Sequence, residues 1–252
     1  AFAQQPPPST ITNFNLSGPQ KVIQWNLFPA VKSYRILSST NVGGPFTTNL
    51  GTVAGFSWNA TSSLPANFFQ LQVTPLSSNE FLTATVLNRL AYGPTPDLLE
   101  RLLQNTGTNT AESYITEQLA PELINETVAN SHTNIAVIES KFASPTDVIP
   151  MNTASYAKID DLRAWHVLRA VGSQRQLLEI LLQFFENHFV TQYTKSDDYF
   201  DTYYDGGTNE QAIATQFEYL ENQKWRAALL NPICTFYDLL KISAESPAMI
   251  IY

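Results

Sequence analysis

The chain has 252 residues and a formal net charge of −8, and only 14% of its residues are charged, below the roughly 25% of an average soluble domain. Lysine and arginine form no run, so the sequence excludes the electrostatic footprint of a nucleic-acid-binding surface. The single cysteine, Cys234, excludes an intrachain disulfide and a cysteine-based zinc site. No apolar run approaches the roughly 18 residues of a membrane span, so we expect no transmembrane segment.

The first ten residues have the composition of a processing site followed by a linker. The triplet AFA at residues 1–3 has the small-x-small form of a signal-peptidase site. The stretch QQPPPST at residues 4–10 is typical of an extended, Pro-rich linker. An ordinary alanine-rich start is the alternative interpretation. Across the whole chain, Ser, Thr, Asn and Gln supply most of the polar side chains in place of charged residues, a balance common in secreted proteins. Together with the N-terminal motif, this composition predicts an exported protein, located outside the cell, at its surface or in the periplasm.

Residues 11–76 follow the two-residue period of β-strands. The run NFFQLQVTP alternates Phe69, Leu71 and Val73 with their neighbours. The cluster NVGGPF at residues 41–46 is typical of a turn between two such runs. Several short strands separated by turn residues predict an all-β sandwich.

The order of aromatic landmarks in this region resembles that of a fibronectin type III domain. Trp25 lies in the second predicted strand, Pro29 in the loop after it and Tyr34 in the third strand. The resemblance implies that Trp25 and Tyr34 are buried in the sandwich core. The last strand of that family is expected to be missing, because the sequence after Pro75 takes a helical period.

Residues 77–252 have a helical pattern of apolar positions. Gly93 and Pro94 end the first predicted helix, and Thr95 followed by Pro96 is typical of an N-cap and the first helical position. The clearest helices are DDLRAWHVLRAV at 160–171 and SQRQLLEILLQFFENHF at 173–189. The sequence therefore predicts a multidomain chain in which a small fibronectin type III-like β-sandwich precedes a mainly α-helical domain.

Several separated motifs of the helical region match one family. They are LNRLAYGPT at 87–95, a helix with Trp165, FFENHF at 184–189 and a final segment with Pro247, Ala248, Met249 and Tyr252. In these motifs the region resembles the DUF1800 family, a bacterial group of exported proteins of unknown function. Members continue past the position of Tyr252 with an Asp-rich stretch and an Asn-Glu-Asn-x-x-Arg-Glu motif. The resemblance implies that domain 77–252 is C-terminally incomplete. Any site that the family builds from both halves of its domain would then also be incomplete in this chain.

His188, in the motif FFENHF, is the first candidate site residue. Leu177, Leu181, Phe184 and His188 recur at helical spacing, so we predict that His188 is buried and contacts a polar group of another helix. One interpretation is a structural histidine that holds two helices together. The other is a general base or metal ligand. The match of Asn187 and His188 to the motif of the DUF1800 family favours this second interpretation, because packing does not require an Asn-His pair. The resemblance therefore makes Asn187 and His188 the candidate catalytic residues.

A second set of candidates has the side chains of a binding site. The segment KSDDYFDTYYDGGTNE at 195–210 is acidic and aromatic. An EF-hand in the register of Gly206 is excluded, because its twelfth position is Ala212 and not a bidentate carboxylate. An irregular calcium site and a solvated loop whose tyrosines bind sugar or peptide both remain open, so a divalent metal is a candidate cofactor. The candidate binding residues are His166, Asp197, Asp198, Asp201, Tyr203, Tyr204 and Asp205.

The function follows from these features only as a class. No nucleophile elbow and no phosphate-binding loop occurs in the sequence. The modular layout, low charge and abundant aromatics favour an extracellular or cell-surface binding or assembly module, whose partner is a polysaccharide, a peptide or another surface protein. The alternative is a secreted hydrolase-like enzyme, with or without a metal, whose site surrounds His188 and is completed by residues beyond the chain.

Overall fold

The computed structural model describes residues 11–15, 20–28, 30–61, 68–126, 133–142, 157–203 and 209–252. The expected signal remnant and linker at 1–10, and Pro29, lie outside the described residues. The chain divides into two compact units, Ala1–Leu82 and Thr83–Tyr252.

The first unit contains two three-stranded antiparallel sheets, as the alternating pattern predicted. One sheet has the order β1-β2-β5 and the other β4-β3-β6. The six strands are β1 (Ile11–Asn15), β2 (Gln20–Trp25), β3 (Val31–Ser39), β4 (Thr48–Val53), β5 (Ser57–Thr61) and β6 (Phe68–Pro75).

Both sheets contribute side chains to one hydrophobic core. Ile23, Trp25 and Trp58 come from the first sheet, while Tyr34 and Ile36 come from the second. Trp25 is 2% exposed and Tyr34 is 1% exposed, which confirms the predicted burial of both. Their ring centroids are 5.2 Å apart, a distance typical of favourable aromatic pairs.

Helices dominate the rest of the described chain, as predicted. None of these helices is both long and apolar enough to cross a membrane. The helices are α1 (Ser78–Leu90), α2 (Pro96–Leu103), α3 (Ala111–Gln118), α4 (Thr133–Glu139), α5 (Ile159–Gly172), α6 (Gln176–His188), α7 (Tyr193–Tyr203), α8 (Asn209–Leu229), α9 (Phe236–Ala244) and α10 (Pro247–Ile251), with a 3₁₀ turn at Pro121–Leu123.

Local capping signals were predicted correctly at α2. The hydroxyl of Thr95 accepts a hydrogen bond from the backbone N–H of Leu98 at 3.4 Å, and Pro96 is the first helical residue. The side-chain oxygen satisfies one of the donors that a helix N-terminus leaves unpaired. The cap therefore sets the residue at which α2 begins, directly after the turn at Gly93–Thr95.

The buried face of α6 differs from the predicted one, and the predicted burial of His188 is wrong. Leu178 and Leu182 are buried, and Phe185 packs with them against Trp225 of α8. His188 is exposed and stacks on the exposed Phe184, with ring centroids 5.8 Å apart. The run LLEILLQFF places apolar residues at adjacent positions, so two helical stripes fit the sequence. Packing selects the stripe that is one residue, or about 100°, away from His188.

Candidate ligand-binding cleft

A cleft of about 850 Å³ lies within the helical unit. Its walls come from the turn at Tyr92–Thr95 and from α2, α3, α5 and α6. Ligand sites are typically concave, about 300–1,000 Å³ in volume, and combine apolar walls with a few convergent polar groups. The cleft has this size and this mixture, because Leu98, Val167 and Leu182 line it together with the polar side chains described next.

Tyr92 forms a fixed and half-open platform in this cleft. Its hydroxyl donates to Oε1 of Gln183 at 3.0 Å and lies 3.4 Å from the carbonyl oxygen of Glu179. Its backbone N–H donates to Oε1 of Gln176 at 3.1 Å. Burial, reinforced by the charges of Glu179 and Glu186, raises the pKa of Tyr92, so the hydroxyl stays protonated and can donate. The ring is held at both ends although 47% of the residue is exposed.

Two exposed amide side chains lie beside this platform. Nδ2 of Asn187 donates to the backbone carbonyl of Gln183 at 2.9 Å. Gln183 uses its Oε1 for the Tyr92 hydroxyl. In the described part of the chain, the other polar atom of each amide makes no hydrogen bond, which leaves Nε2 of Gln183 as a donor and Oδ1 of Asn187 as an acceptor. An adjacent donor and acceptor match a hydroxyl group, which both donates and accepts.

A buried charge network fixes the floor of the cleft. Glu179, which is 6% exposed, accepts bonds from Nη1 and Nη2 of Arg226 at 2.6 and 2.9 Å and from Nε of Arg169 at 3.2 Å. Burial alone would raise the pKa of Glu179, but the two guanidinium groups lower it. Both guanidinium carbons lie over the ring of Trp165, 5.1 and 5.3 Å from its centroid. The network therefore ties α5, α6 and α8 together behind the cleft.

His166 and Glu186 line this cleft and also a smaller cavity of about 210 Å³. Nε2 of His166 is 3.7 Å from Oε1 of Glu186. That same oxygen accepts a short hydrogen bond from Nδ2 of Asn222. A carboxylate beside an imidazole can orient the ring, and this pair lies at the border of the two spaces.

Two further glutamates of α8 line the smaller cavity. Oε2 of Glu218 accepts from the Thr191 hydroxyl, and Oε2 of Glu221 accepts from the Ser246 hydroxyl, each at 2.6 Å. Oε1 of each glutamate is buried without a hydrogen-bond partner among the described residues. Ser243 also faces Glu221, but outside hydrogen-bond geometry, since its own Oγ is unpaired.

Burial and mutual repulsion shift the pKa values of these two carboxyl groups upward. Burial is the main cause at both positions. The charge of Glu186 reinforces it at Glu218, and the charge of Glu218 reinforces it at Glu221, whose pKa rises to about 7. The hydroxyls of Thr191 and Ser246 oppose these shifts. Near neutral pH the carboxyl group of Glu221 is therefore partly protonated.

The structure brings together only some of the residues that the sequence singled out. Asn187 and His166 both line the cleft, and Asn187 lies in the last turn of α6. His188 is not among the residues that line either cavity. Its contacts in the described structure are aromatic, with Phe184 and Phe189. The catalytic role assigned to Asn187 and His188 stays a prediction.

The acidic, aromatic segment is helical up to Tyr203, and the expectation of a loop there is wrong. Asp197, Asp198 and Asp201 lie on α7, where Asp198, Asp201 and Tyr203 are exposed. Burial, with the charges of Asp198 and Asp201, raises the pKa of Asp197. These residues do not line the cleft. Tyr204 and Asp205 lie outside the described residues.

Within the described ranges, no group of three or more His, Cys, Asp or Glu residues is arranged to hold a metal ion. Metal ligands must lie within about 2.0–2.6 Å of one cation. The carboxylates of the smaller cavity are close enough to influence one another's pKa, but they do not form such a group.

Sequence reasoning missed Glu186, Glu218 and Glu221, and it missed the role of Tyr92. Two of the motifs that carried the family resemblance, at 87–95 and 184–189, contain Tyr92 and Glu186. Their convergence on one cleft is a tertiary feature, since Tyr92 contacts residues 87 and 91 positions away. The spacing of Glu218 and Glu221 on one helix was the available signal for the remaining pair.

Comparison with models of known protein families supports the resemblance that the motifs of the helical region indicated. The family model described as protein of unknown function (DUF1800) matches residues 85–252. The chain belongs to this family. A search of curated proteins and a search of solved structures gave no match to the chain.

Proposed function

We propose that this protein is an exported binding module whose helical unit binds a saccharide chain in the cleft beside Tyr92. The observation that carries the proposal is the half-exposed Tyr92 ring, which hydrogen bonds hold in place on both its backbone and its hydroxyl side. An aromatic face suits the apolar face of a sugar ring. The free donor of Gln183 and the free acceptor of Asn187 suit its hydroxyl groups.

Composition supports a neutral, hydroxylated ligand outside the cytoplasm. Charged residues make up 14% of the chain and its formal net charge is −8, so long-range attraction to an anionic polymer is weak. The same composition supports export, although the first ten residues lie outside the described structure. A peptide or another surface protein is the competing partner, because peptide groups also present paired donors and acceptors.

The β unit is proposed to be a fibronectin type III-like sandwich that lacks its last strand. Its support is the contact between Trp25 of the second strand and Tyr34 of the third, and the replacement of a seventh strand by α1 after β6. Such sandwiches act as spacers and as assembly modules in surface proteins. We assign this unit a spacing or assembly role, while the helical unit supplies the ligand site.

Binding to a panel of ligands tests the proposal. Neutral oligosaccharides of four to eight units, uronic-acid oligosaccharides and peptides of matched length would each be titrated against the intact chain by calorimetry. We expect saturable binding of at least one neutral oligosaccharide and no binding of the peptides. Saturable binding of peptides alone would overturn the saccharide assignment and favour a protein partner.

Hydrolysis is the second candidate function, and the His166–Glu186 pair at the border of the cleft favours it. In this reaction the carboxylate would orient the imidazole, which would take a proton from the water that attacks the anomeric carbon. The imidazole would return that proton to the leaving sugar oxygen as the glycosidic bond breaks. The pair replaces His188 as the centre of the hydrolase-like alternative, because His188 lines neither cavity. Release of reducing ends from a bound oligosaccharide, abolished by His166→Gln, is the expected result. Binding without any release would contradict this second function.

A further inference from the structure

We propose that the part of the cleft beside Tyr114 recognises the acetamido group of an N-acetylated sugar. This inference rests on the saccharide site proposed above, and it names the class of sugar that the site prefers. Tyr114 and Glu117 of α3 line the cleft together with Leu98 and Arg101 of α2. Tyr92 is held by residues of α6, so these four side chains belong to a different part of the wall.

The hydroxyl of Tyr114 is a buried donor without an acceptor. Tyr114 is 2% exposed, and its hydroxyl makes no hydrogen bond among the described residues. Burial, reinforced by the charge of Glu117 and opposed by that of Arg101, raises the pKa of Tyr114 to about 12, so the hydroxyl stays protonated. Buried polar groups in folded proteins are nearly always paired. In the wall of a cleft, the unpaired hydroxyl therefore points to an acceptor that a ligand supplies.

Arg101 is the side chain whose movement would give a ligand access to this hydroxyl. Its Cζ lies 5.9 Å from the centroid of the Tyr114 ring. Its Nη2 is 3.4 Å from Oε2 of Glu117, and the two side chains are 41% and 38% exposed. Ion pairs that are this long and this exposed contribute little to stability, so a ligand can displace the guanidinium group at small cost.

The neighbours of Tyr114 match the other two parts of an acetamido group. Leu98 packs against the apolar cluster that contains Tyr114 and also lines the cleft, so it offers an apolar contact to a methyl group. The carboxylates of Asp97 and Glu117 line the cleft on the same two helices, and carboxylate oxygens accept hydrogen bonds from an amide N–H. An acetamido group combines a carbonyl acceptor, an N–H donor and a methyl group.

The local charge favours this neutral group over a carboxylate or a sulfate. Among the residues of α2 and α3 that line the cleft, Asp97 and Glu117 are acidic and only Arg101 is basic. An anionic sugar would therefore meet more negative than positive charge, which opposes its binding. A plain sugar hydroxyl is neutral, but it has no methyl group to contact Leu98.

Two tetrasaccharides that differ only in their acetamido groups test the inference. Chitotetraose, a chain of N-acetylglucosamine, and cellotetraose, the same chain of glucose, would be titrated into the intact chain by calorimetry. Tetragalacturonic acid is the anionic probe. We expect chitotetraose to bind about three- to tenfold more tightly than cellotetraose, which is the range that one added hydrogen bond supplies. Tetragalacturonic acid should bind most weakly.

Tyr114→Phe isolates the hydroxyl. The variant keeps the ring and removes a donor that has no partner in the fold, so its melting temperature should not fall. It should lose the preference for chitotetraose, while its affinity for cellotetraose stays within about twofold of the unaltered chain. A purely structural role of Tyr114 would instead lower both affinities and the melting temperature. Tyr237→Phe, at an exposed position of α9 outside the cleft, is the control and should keep the preference.

The outcomes separate this inference from the saccharide site itself. Equal affinity for chitotetraose and cellotetraose would overturn the inference alone, as would a preference that persists in Tyr114→Phe. Tighter binding of tetragalacturonic acid than of chitotetraose would overturn it in favour of an anionic group. Absence of binding by every tetrasaccharide would overturn the saccharide site as well.

Discussion

Glu179 of α6 and Arg226 of α8 form a two-point ion pair inside the helical unit, with N–O distances of 2.6 and 2.9 Å. Arg169 of α5 donates to the same carboxylate. Glu179 also lines the cleft, and its backbone carbonyl lies 3.4 Å from the hydroxyl of Tyr92. The carboxylate of Glu179 thus joins three helices, and its backbone carbonyl lies beside the ligand platform.

Removing the charge of Glu179 should strongly destabilise the helical unit. Glu179→Gln would leave the guanidinium group of Arg226 buried without a counter-charge, which typically costs about 3–5 kcal/mol, while Arg169 would keep its ion pair with Glu139 at 3.1 Å. Urea denaturation followed by circular dichroism measures the change. Glu112→Gln, at an exposed position of α3, should stay within about 0.5 kcal/mol. A loss below about 1 kcal/mol at Glu179 would show that the network does not support the fold.

Glu221 should make the helical unit more stable at pH 5 than at pH 8. Its pKa rises from 4.5 to about 7, so between these values the folded chain binds more protons than the unfolded chain and stability falls as pH rises. At about 1.4 kcal/mol per unit, the loss is of the order of 3 kcal/mol. Denaturation at both pH values measures it, and Glu221→Gln should remove this part of the pH dependence. An identical pH dependence in the variant would contradict the assignment.

Trp25 should be essential to the β unit. Trp25→Ala leaves a cavity against Tyr34 and should cost about 3–5 kcal/mol, because both residues are almost fully buried. Phe56→Ala is the matched control, since Phe56 is 54% exposed. Loss of the β signal at lower urea concentration in Trp25→Ala, but not in Phe56→Ala, is the expected result. Equal stability of the two variants would place the core elsewhere.

His188 should contribute little to stability. It is exposed and makes only aromatic contacts in the described structure, so His188→Gln should change the free energy of unfolding by less than about 0.5 kcal/mol. Thermal and urea denaturation check this value. A loss of 2 kcal/mol or more would mean that the histidine holds another helix, as the structural interpretation of the sequence held.

Local signals in the sequence carried most of the fold. Alternation around Leu71 predicted β6, and Thr95 with Pro96 predicted the start of α2, because each signal lies within one element. The face of α6 could not be chosen in the same way. Apolar residues at both Leu177 and Leu178 fit a helix, and the choice between them depends on where Trp225 packs.

The candidate site was predictable only in part. His166 and Asn187 were singled out, and both line the cleft. The buried glutamates were not, because Glu221 pairs with Ser246, the N-cap residue of α10, which lies 25 residues away. The contact of Tyr92 with Gln183 spans 91 residues. Contacts between residues so far apart produce no periodic pattern in a single sequence, because each residue alone is compatible with an ordinary exposed polar position.

The most direct test of the account is a calorimetric titration of a neutral oligosaccharide into Tyr92→Ala, Tyr92→Phe and the control Tyr237→Ala. Tyr237 is 70% exposed and lies on α9, away from the residues that line the cleft. If the ring is the platform, Tyr92→Ala should weaken binding at least about tenfold, which is about 1.4 kcal/mol. The affinity of Tyr92→Phe should lie between that of Tyr92→Ala and that of the unaltered chain, and Tyr237→Ala should bind the oligosaccharide with unchanged affinity. Unchanged affinity in Tyr92→Ala would contradict the saccharide cleft.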